Sequence, residues 1–465
     1  MTERWGKTLE RVIRLALPAI FENLMLTLVN IVDVAMVGSL GAEATAAAAL
    51  NAQPLWFANA TMMLVAGGAM VLTARCVGSH DSHRAGLYAR HGVVLSCAVG
   101  ALLTAASWLA ADVYAALMHA APDVAPDAAA YMRIVGSSMI FMALGRTLAC
   151  IIQGTGDTMT PMKISLFANL CNVAGNFLLI YRPRTLFFFG RPLLIPGAGW
   201  GVRGAAVSTA ASMVLSSLLL MAALARRRDG LKLHLRELTD FRGHLAGDVL
   251  SIGAPIAAER IVLSTGQMFY MGIISTLGTL SISAHYLAVT VEGVCYNPAY
   301  GVSVAATALV GQSLGAGDEA GAVRSGKISI AFCFAVMACV SALMFCFAAP
   351  LIGLFSKDEA IVAQGAMALR IVAWAEPFLG VALTATGALR GAGDTVFPLW
   401  LGIFTMYVIR LVSARIFVLR LGLGLAGAWY AMVIDMTLRG LTLWLYFLAG
   451  RWKARNRRLT ARTGL

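Results

Sequence analysis

Acidic side chains interrupt long apolar runs of this chain at Glu22, Asp33, Glu259, Glu292, Glu376 and Asp435. A carboxylate placed inside hydrocarbon costs about 3 kcal/mol or more. Each of these groups must therefore bind a proton or cation, contact a ligand, or pair with a base. Asp33 lies toward the far end of PAIFENLMLTLVNIVDVAMVGSLG, residues 18–41. A carboxyl set there among apolar side chains is suited to exchanging a proton or small cation and to displacing a cationic molecule. The alternative is a surface acid at a helix end. Asn172 and Asn176 are four apart and share one helix face, so their amides can either surround Asp33 or join helices. Thr209 offers a further hydroxyl. Glu259 follows Pro255 by four residues. Its neighbour Arg260 points about 100° away on a helix and need not neutralise it. Glu22 stands nearer the start of its run, either in a cavity or paired with a base. His285, Glu292 and Tyr296 fall on one apolar run, with Glu292 and Tyr296 on one face. Glu376 precedes Pro377, whose missing donor permits a bend; bends within a membrane line protein or cavity. Arg410 and Asp435 are expected to form a structural ion pair, with Arg439 four residues after Asp435.

The elements carrying these groups are membrane-spanning. The 465 residues are 59% hydrophobic and only 13% charged, with a mean hydropathy of +0.78. Soluble domains carry about 25% charged residues. A spanning helix needs ~20 residues to cross ~30 Å of hydrocarbon. Runs of that kind are expected near 12–38, 44–77, 90–113, 128–153, 161–181, 201–225, 246–277, 281–314, 325–349, 361–389, 396–419 and 424–450. The net charge of +13 does not call for nucleic acid. It is concentrated in residues 1–14 (Arg4, Lys7, Arg11, Arg14), in the central loop (Arg226, Arg227, Arg228, Lys232, Arg236, Arg242) and in the tail (Arg451, Lys453, Arg455, Arg457, Arg458, Arg462). The loops near 39–44, 114–127 and 278–281 hold no Lys or Arg. Excess basic residues mark cytoplasmic loops, so both termini and the central loop are expected in the cytoplasm. The N-terminal run is read as part of the fold and not a cleaved leader, because it is echoed later. The eight cysteines form no CxxC pair and read as small apolar side chains. No HExxH, Cys/His cluster or GxxxxGK[ST] frame is found, so no metal or nucleotide cofactor is expected.

The chain repeats itself. Residues 255–278, PIAAERIVLSTGQMFYMGIISTLG, echo 18–41 at an offset of 237: Pro18 matches Pro255, Glu22 matches Glu259, and Asp33 falls on Tyr270. Gly78 and Asp81 match Gly315 and Asp318. Gly156-Asp157-Thr158 and Pro161 match Gly393-Asp394-Thr395 and Pro398. These Gly-Asp-Thr stretches read as turns and caps, not phosphate loops. Later, Gly204-Ala205 matches Gly427-Ala428 at an offset of 223, which places an insert of about 14 residues within 182–200. Six spans per copy is an even number, so both copies enter the membrane the same way and are related by an axis along its normal. The expected fold is an all-α polytopic membrane protein with twelve transmembrane helices in two six-helix lobes. The lobes are 1–225 and 246–450, with a cytoplasmic linker at 226–245 and a basic tail at 451–465.

The motifs LPAIFENLMLTLVNIVDVAMVGSLG (17–41), GAPIAAERIVLSTGQMFYMGIISTLG (253–278), GVSVAATALVGQSLGAGD (301–318), GALRGAGDTVFP (387–398) and GAWYAMVIDMTLRG (427–440) resemble the MATE (multidrug and toxic compound extrusion) transporters, prokaryotic type. The resemblance covers nearly the whole chain. It implies two six-helix lobes set in a V and export driven by inward Na⁺ or H⁺. It also implies that Asp33, in IVDxxMVG, is the N-lobe acid that binds the coupling ion. The family's fifth helix often carries Asn followed four residues on by Asp. Here Asn176 is neutral, which removes one charge from an N-lobe Na⁺ site and tilts the expectation toward H⁺. Some relatives place a cation-binding Glu on the seventh helix, where Glu259 stands.

The expected function is therefore an ion-coupled (H⁺ or Na⁺) antiporter of the inner membrane, and not an enzyme. It would export organic, cationic and lipophilic compounds by alternating access. Asp33, Asn172, Asn176, Thr209 and Glu259 are expected at the cation or proton sites. Glu22, Tyr270, His285, Glu292, Tyr296 and Glu376 are expected in the substrate cavity, where acids would select cations. The expected partners are a small organic cation and membrane lipid, with no nucleic acid and the chain acting as a monomer. A flippase for a lipid-linked saccharide is the first rival, and it would need a basic cavity for pyrophosphate. A membrane-embedded lipid-modifying enzyme is the second, and it would need a nucleophile or metal constellation that the sequence lacks.

Overall fold

The structure, a computed structural model, describes residues 2–118, 121–188, 191–227 and 242–465. The first copy comprises α1 (Thr2–Gly38), α2 (Ala42–Leu50), α3 (Ala52–Gly78), α4 (Ser82–Leu117), α5 (Ala125–Ser137), α6 (Met139–Gly154), α7 (Met159–Leu179) and α8 (Gly201–Ala225). The second comprises α9 (Gly243–Ser275), α10 (Thr279–Cys295), α11 (Asn297–Gly315), α12 (Glu319–Cys346), α13 (Ala348–Gly353), α14 (Glu359–Ala373), α15 (Glu376–Gly391), α16 (Val396–Ile403), α17 (Leu411–Arg415) and α18 (Gly424–Leu448), followed by α19 (Trp452–Thr463). Most of the expected linker, 228–241 with Arg228, Lys232 and Arg236, lies outside the described residues.

Nine helices among the described residues are long and apolar enough to cross a membrane. Two further crossings are bent pairs, α5 with α6 at 47° and α14 with α15 at 54°. The run expected as one span at 281–314 is instead two helices, α10 and α11, parted at Tyr296. Pro298 explains the break, since it cannot donate the bond that would continue α10. Asn297 occupies the gap: its Nδ2 donates to Gly293 O (3.2 Å) and to Thr27 Oγ1 on α1 (2.9 Å). The α14–α15 bend falls just before Glu376-Pro377, but its counterpart in the first copy has Met139-Ile140 there. Proline is thus not what requires the bend. The insert near 182–200 forms a two-stranded antiparallel hairpin, β1 (Arg184–Phe188) and β2 (Arg191–Ile195). It is the one departure from an all-helical chain among the described residues. Leu102, Leu109 and Val113 on α4 are 71%, 81% and 66% exposed. An outward apolar face of that size is what lipid covers in a multi-pass membrane protein.

The two copies meet through equivalent helices. Val12, Leu15 and Ala16 of α1 pack on Ala299, Val302, Ala305 and Leu309 of α11, and α3 packs on α9 in the same way. Between apolar helices in lipid, association rests on close packing of small residues. A Cβ on Gly68 would overlap the Val249 carbonyl, one on Gly253 the Leu64 carbonyl, one on Gly78 the Gln312 carbonyl, and one on Gly315 the Arg75 carbonyl. Arg75 and Gln312 are themselves equivalent at the 237 offset, so the last two contacts exchange under the internal two-fold.

This end of the molecule carries both termini and is tied together by polar contacts. The Arg75 guanidinium, 1% exposed, donates to Ala392 O (2.8 Å) and to Asn456 Oδ1 on α19 (2.5 Å). Gln312 Nε2 donates to Gly154 O (3.0 Å). Arg462 on α19 reaches Asp248 (2.9 Å), and Lys453 reaches Glu319 (3.1 Å). The tail is thus a strap across both copies. The Gly-Asp-Thr turns serve as caps: Asp157 Oδ1 accepts from Thr160 N (3.0 Å) and Asp394 Oδ1 from Phe397 N (3.3 Å).

Gly315→Ala is expected to cost about 1–3 kcal/mol through overpacking against backbone, read as a lowered thermal unfolding midpoint in detergent. Gly272→Ala, where a Cβ meets nothing within 4 Å, is expected to leave the midpoint unchanged or slightly raised.

Candidate functional site

In the first copy α1 presents Asp33 inward while Ile31, Val32 and Val34 stay exposed. α7 brings two amides to it. Asn176 Nδ2 donates to Asp33 Oδ1 at 2.5 Å. The Asn172 amide, in the orientation that satisfies both its ends, donates to Asp33 Oδ1 (3.0 Å) and Oδ2 (3.1 Å) and accepts from Thr209 N (3.2 Å). Asn172 and Asn176 are 3% and 0% exposed. Ser208 on α8 donates to Asn172 O (2.8 Å). It packs where Gly175 has no side chain, which brings α7 and α8 together. Asp33, Asn172, Asn176 and Thr209 therefore form one cluster. Ser208 was not anticipated, although its place beside Thr209 was the available signal. Asn176 Oδ1 is buried and has no partner among the described residues, and no basic side chain lies within ion-pair distance of Asp33 among them. The cluster can hold one small cation or a proton on a carboxylate whose charge is otherwise offset only by amide N–H groups.

A second group lies between the copies. An open cleft with about 730 Å³ of empty space is lined from α1 (Glu22, Asn23), α3 (Met63, Met70), α6 (Arg146, Cys150, Gln153), α9 (Arg260), α11 (Tyr300, Thr307) and α15 (Arg390). Its two walls are copies of each other. Glu22 accepts from Gln153 Nε2 at 3.1 Å, and at the equivalent positions Glu259 is paired with Arg390 at 2.7 Å. Arg390 neutralises Glu259, whereas its sequence neighbour Arg260 turns to Tyr300, donating to the hydroxyl at 3.2 Å and lying 5.1 Å from the ring centroid. Glu259 thus stands in an ion pair at the cleft wall, apart from the Asp33 cluster. Sequence reasoning missed Arg390, Gln153 and Arg146. The first two immediately precede Gly391 and Gly154, inside a stretch read only as a turn.

The third group fills the second copy. Asp435, fully buried, lies 2.7 Å from Arg410 Nε and 2.7 Å from Arg439 Nη2, and Arg439 Nε donates to Thr405 (3.0 Å). Wide π-helical turns at Phe404–Arg410 and Ile416–Arg420 flank Arg410; such turns shift side-chain register within a helix. Tyr270 occupies the place of Asp33, but its hydroxyl donates to Ala428 O (2.7 Å) and Arg410 lies over its ring at 5.7 Å. His285 sits between Tyr270 and Trp429, with centroids at 5.9 and 5.5 Å. Glu292 is 5% exposed and Glu376 is fully buried, with neither Glu376 oxygen partnered among the described residues. Tyr296 stands at the α10–α11 break and meets Tyr300 edge-on at 5.5 Å.

Of the six residues expected in a substrate cavity, Glu22 alone lines the cleft between the copies. Tyr270, His285, Glu292 and Glu376 are buried within the second copy and do not line this cleft. The acids counted as favouring cations are thus dispersed: Asp33 in one lobe, Glu292 and Glu376 in the other, and Glu259 neutralised. The described residues contain no cluster of His, Cys, Asp and Glu fit to hold a metal ion. All eight cysteines are free, three are buried, and Cys339 and Cys346 are exposed.

Asp435→Asn leaves two buried guanidiniums short of a counter-charge. Breaking such a group costs about 3–5 kcal/mol, so a large drop in the detergent unfolding midpoint is expected.

The MatE family model matches residues 18–178 and 255–416, the same two stretches that repeat internally. The chain is 29% identical over 450 residues to the "Probable multidrug resistance protein NorM" of Thermotoga maritima, covering 96% of this chain and 93% of that one. It is 26% identical to the "Uncharacterized transporter YisQ" of Bacillus subtilis, covering 91% and 89%. Among solved structures it superposes on a MOP superfamily transporter from Pyrococcus furiosus, described as having reverse polarity of its binding pocket, with a TM-score of 0.88 at 24% identity over 96% of each chain. It also superposes on an outward-facing multidrug resistance MATE family transporter, with a TM-score of 0.86 at 24% identity over 98% of this chain and 97% of that one.

Proposed function

Because the chain belongs to the MatE family of membrane transporters, we propose that it is an ion-coupled antiporter that exports lipophilic organic compounds, cations among them, across the cell's inner membrane. The observation that carries this reading is Asp33: a carboxyl on a spanning helix held by the Asn172 and Asn176 amides, with no basic partner among the described residues. A group so placed is a site for a coupling H⁺ or Na⁺. Asn176 adds no second charge, which favours H⁺. Relatives at 29% and 28% identity carry the name of a multidrug resistance protein, and that supports organic compounds as cargo. The basic segments at both termini and in the central loop support a cytoplasmic placement of all three. The protein acts as a monomer in lipid, without a nucleic-acid partner or a bound cofactor.

Alternating access follows from where the copies touch. The backbone contacts at Gly78 and Gly315, the Arg75 bonds and the α19 strap close the end that carries the termini. Farther along α1, past the Glu22 and Asn23 that line the cleft, Thr27 accepts a hydrogen bond from Asn297 of the other copy. Uptake of an ion at Asp33 releases the organic molecule, and separation of the strap exposes the cleft to the cytoplasm.

A lipid flippase is the second reading, and the observation that favours it is the cleft itself, where Arg146, Arg260 and Arg390 outnumber the acids.

Two measurements test the main reading. In proteoliposomes, export of a fluorescent organic cation is expected under an imposed pH gradient and to be abolished by Asp33→Asn in protein that remains folded. Unchanged transport by that variant would overturn coupling at Asp33, and dependence on Na⁺ alone would make Na⁺ the coupling ion. Arg75→Ala is expected to raise the labelling of Cys150, which lines the cleft, by an impermeant thiol reagent added from the cytoplasmic side. That experiment uses a variant whose other cysteines are replaced.

A further inference from the structure

We infer that the second-copy wall of the inter-lobe cleft is an anion subsite, with Arg260 as the group that receives a carboxylate or phosphate on the transported molecule. The inference rests on the cleft being the substrate path proposed above. The charges facing the cleft can be taken in turn. Arg390 is consumed by Glu259 at 2.7 Å. Glu22 is held by Gln153, and Arg146 lines the same wall. That leaves Arg260, whose guanidinium has a phenol hydroxyl at 3.2 Å and a ring face as its neighbours. No carboxylate lies within 4 Å of it among the described residues. A guanidinium carries five donors in a planar fork suited to a bidentate oxyanion, and one Tyr300 hydroxyl occupies little of that capacity.

The duplication supplies an internal control. Arg260, Arg390 and Tyr300 occupy the places of Asn23, Gln153 and Met63 in the first copy. At those three positions the same helices pack with neutral side chains, so packing does not require the positive charge of Arg260. A cation inside a membrane protein with no ion-pair partner of its own is costly and marks a ligand path. Tyr300 holds the Arg260 side chain beside the cleft through its hydroxyl and ring face, and Tyr296 buttresses Tyr300 edge-on at 5.5 Å. The Met side chains opposite accept an apolar body of variable shape. The ligand chemistry is thus an organic molecule with an anionic group at one end and an apolar or cationic body.

The test is binding to the purified full chain, read by fluorescence anisotropy with fluorescein and its methyl ester as a matched pair. The free carboxylate is expected to bind about tenfold more tightly than the ester. Arg260→Gln is expected to abolish that preference while leaving ester binding unchanged, which also shows that the variant is folded. Arg260→Lys is expected to retain part of it. Displacement of fluorescein by lysophosphatidylglycerol but not by lysophosphatidylcholine would identify a lipid headgroup as the natural source of the anion. Displacement by soluble aryl carboxylates alone would identify a free organic acid. Equal binding of acid and ester, or a preference that survives Arg260→Gln, overturns the proposal. No ion gradient enters this assay, so failure of coupling at Asp33 is distinguishable from failure of the subsite.

Discussion

Close approach of backbone across the internal two-fold is the constraint on which the rest of the molecule depends. At Gly68, Gly253, Gly78 and Gly315 a carbonyl of the opposite copy fills the space a side chain would take. Nothing hydrophobic drives two apolar helices together in lipid, so this fit and the polar bonds beside it must hold the copies in register. With the helices this near, Arg75 and Gln312 can cross from one copy to the other and α19 can lie over both. The contacts along α1 run from Val12 to Thr27, and the cleft lined by Glu22 and Asn23 lies among them.

Inside each copy the polar groups follow the rule that a buried charge needs a partner, but the two copies follow it differently. The second copy pairs Asp435 with Arg410 and Arg439 and seals Tyr270 with a backbone carbonyl. Glu376 is the exception there, buried with neither oxygen partnered among the described residues. The first copy leaves Asp33 with amides alone. The duplicated scaffold thus carries a carboxyl held by amides in one half and, at the equivalent place in the other, the Tyr270 phenol bonded to a backbone carbonyl.

The same divergence appears at the cleft. Glu22 and Glu259 are equivalent acids, but the first is bonded to the neutral Gln153 and the second is paired with Arg390. Such a change alters what the wall attracts without altering how the helices pack, because Gln and Arg both reach the acid from the same turn. The charge of the cleft wall and the packing of the copies are thus carried by different positions along the same helices.

The twelve apolar runs, the repeat at an offset of 237 and the place of Asp33 were legible in the sequence, because hydropathy and duplication are written along the chain and need no contacts to be read. Asn172 and Asn176 could be set on one face by their spacing alone. The tertiary structure decided which acids meet which bases. Arg390 lies 131 residues from Glu259, and no local pattern links them, whereas the adjacent Arg260 points elsewhere by helix geometry. Only the packing of helices from both copies determines which side chains face the cleft. Bends arise where packed helices force them, with or without proline, so a linear reading could not tell that Glu292, His285 and Glu376 lie away from the cleft between the copies.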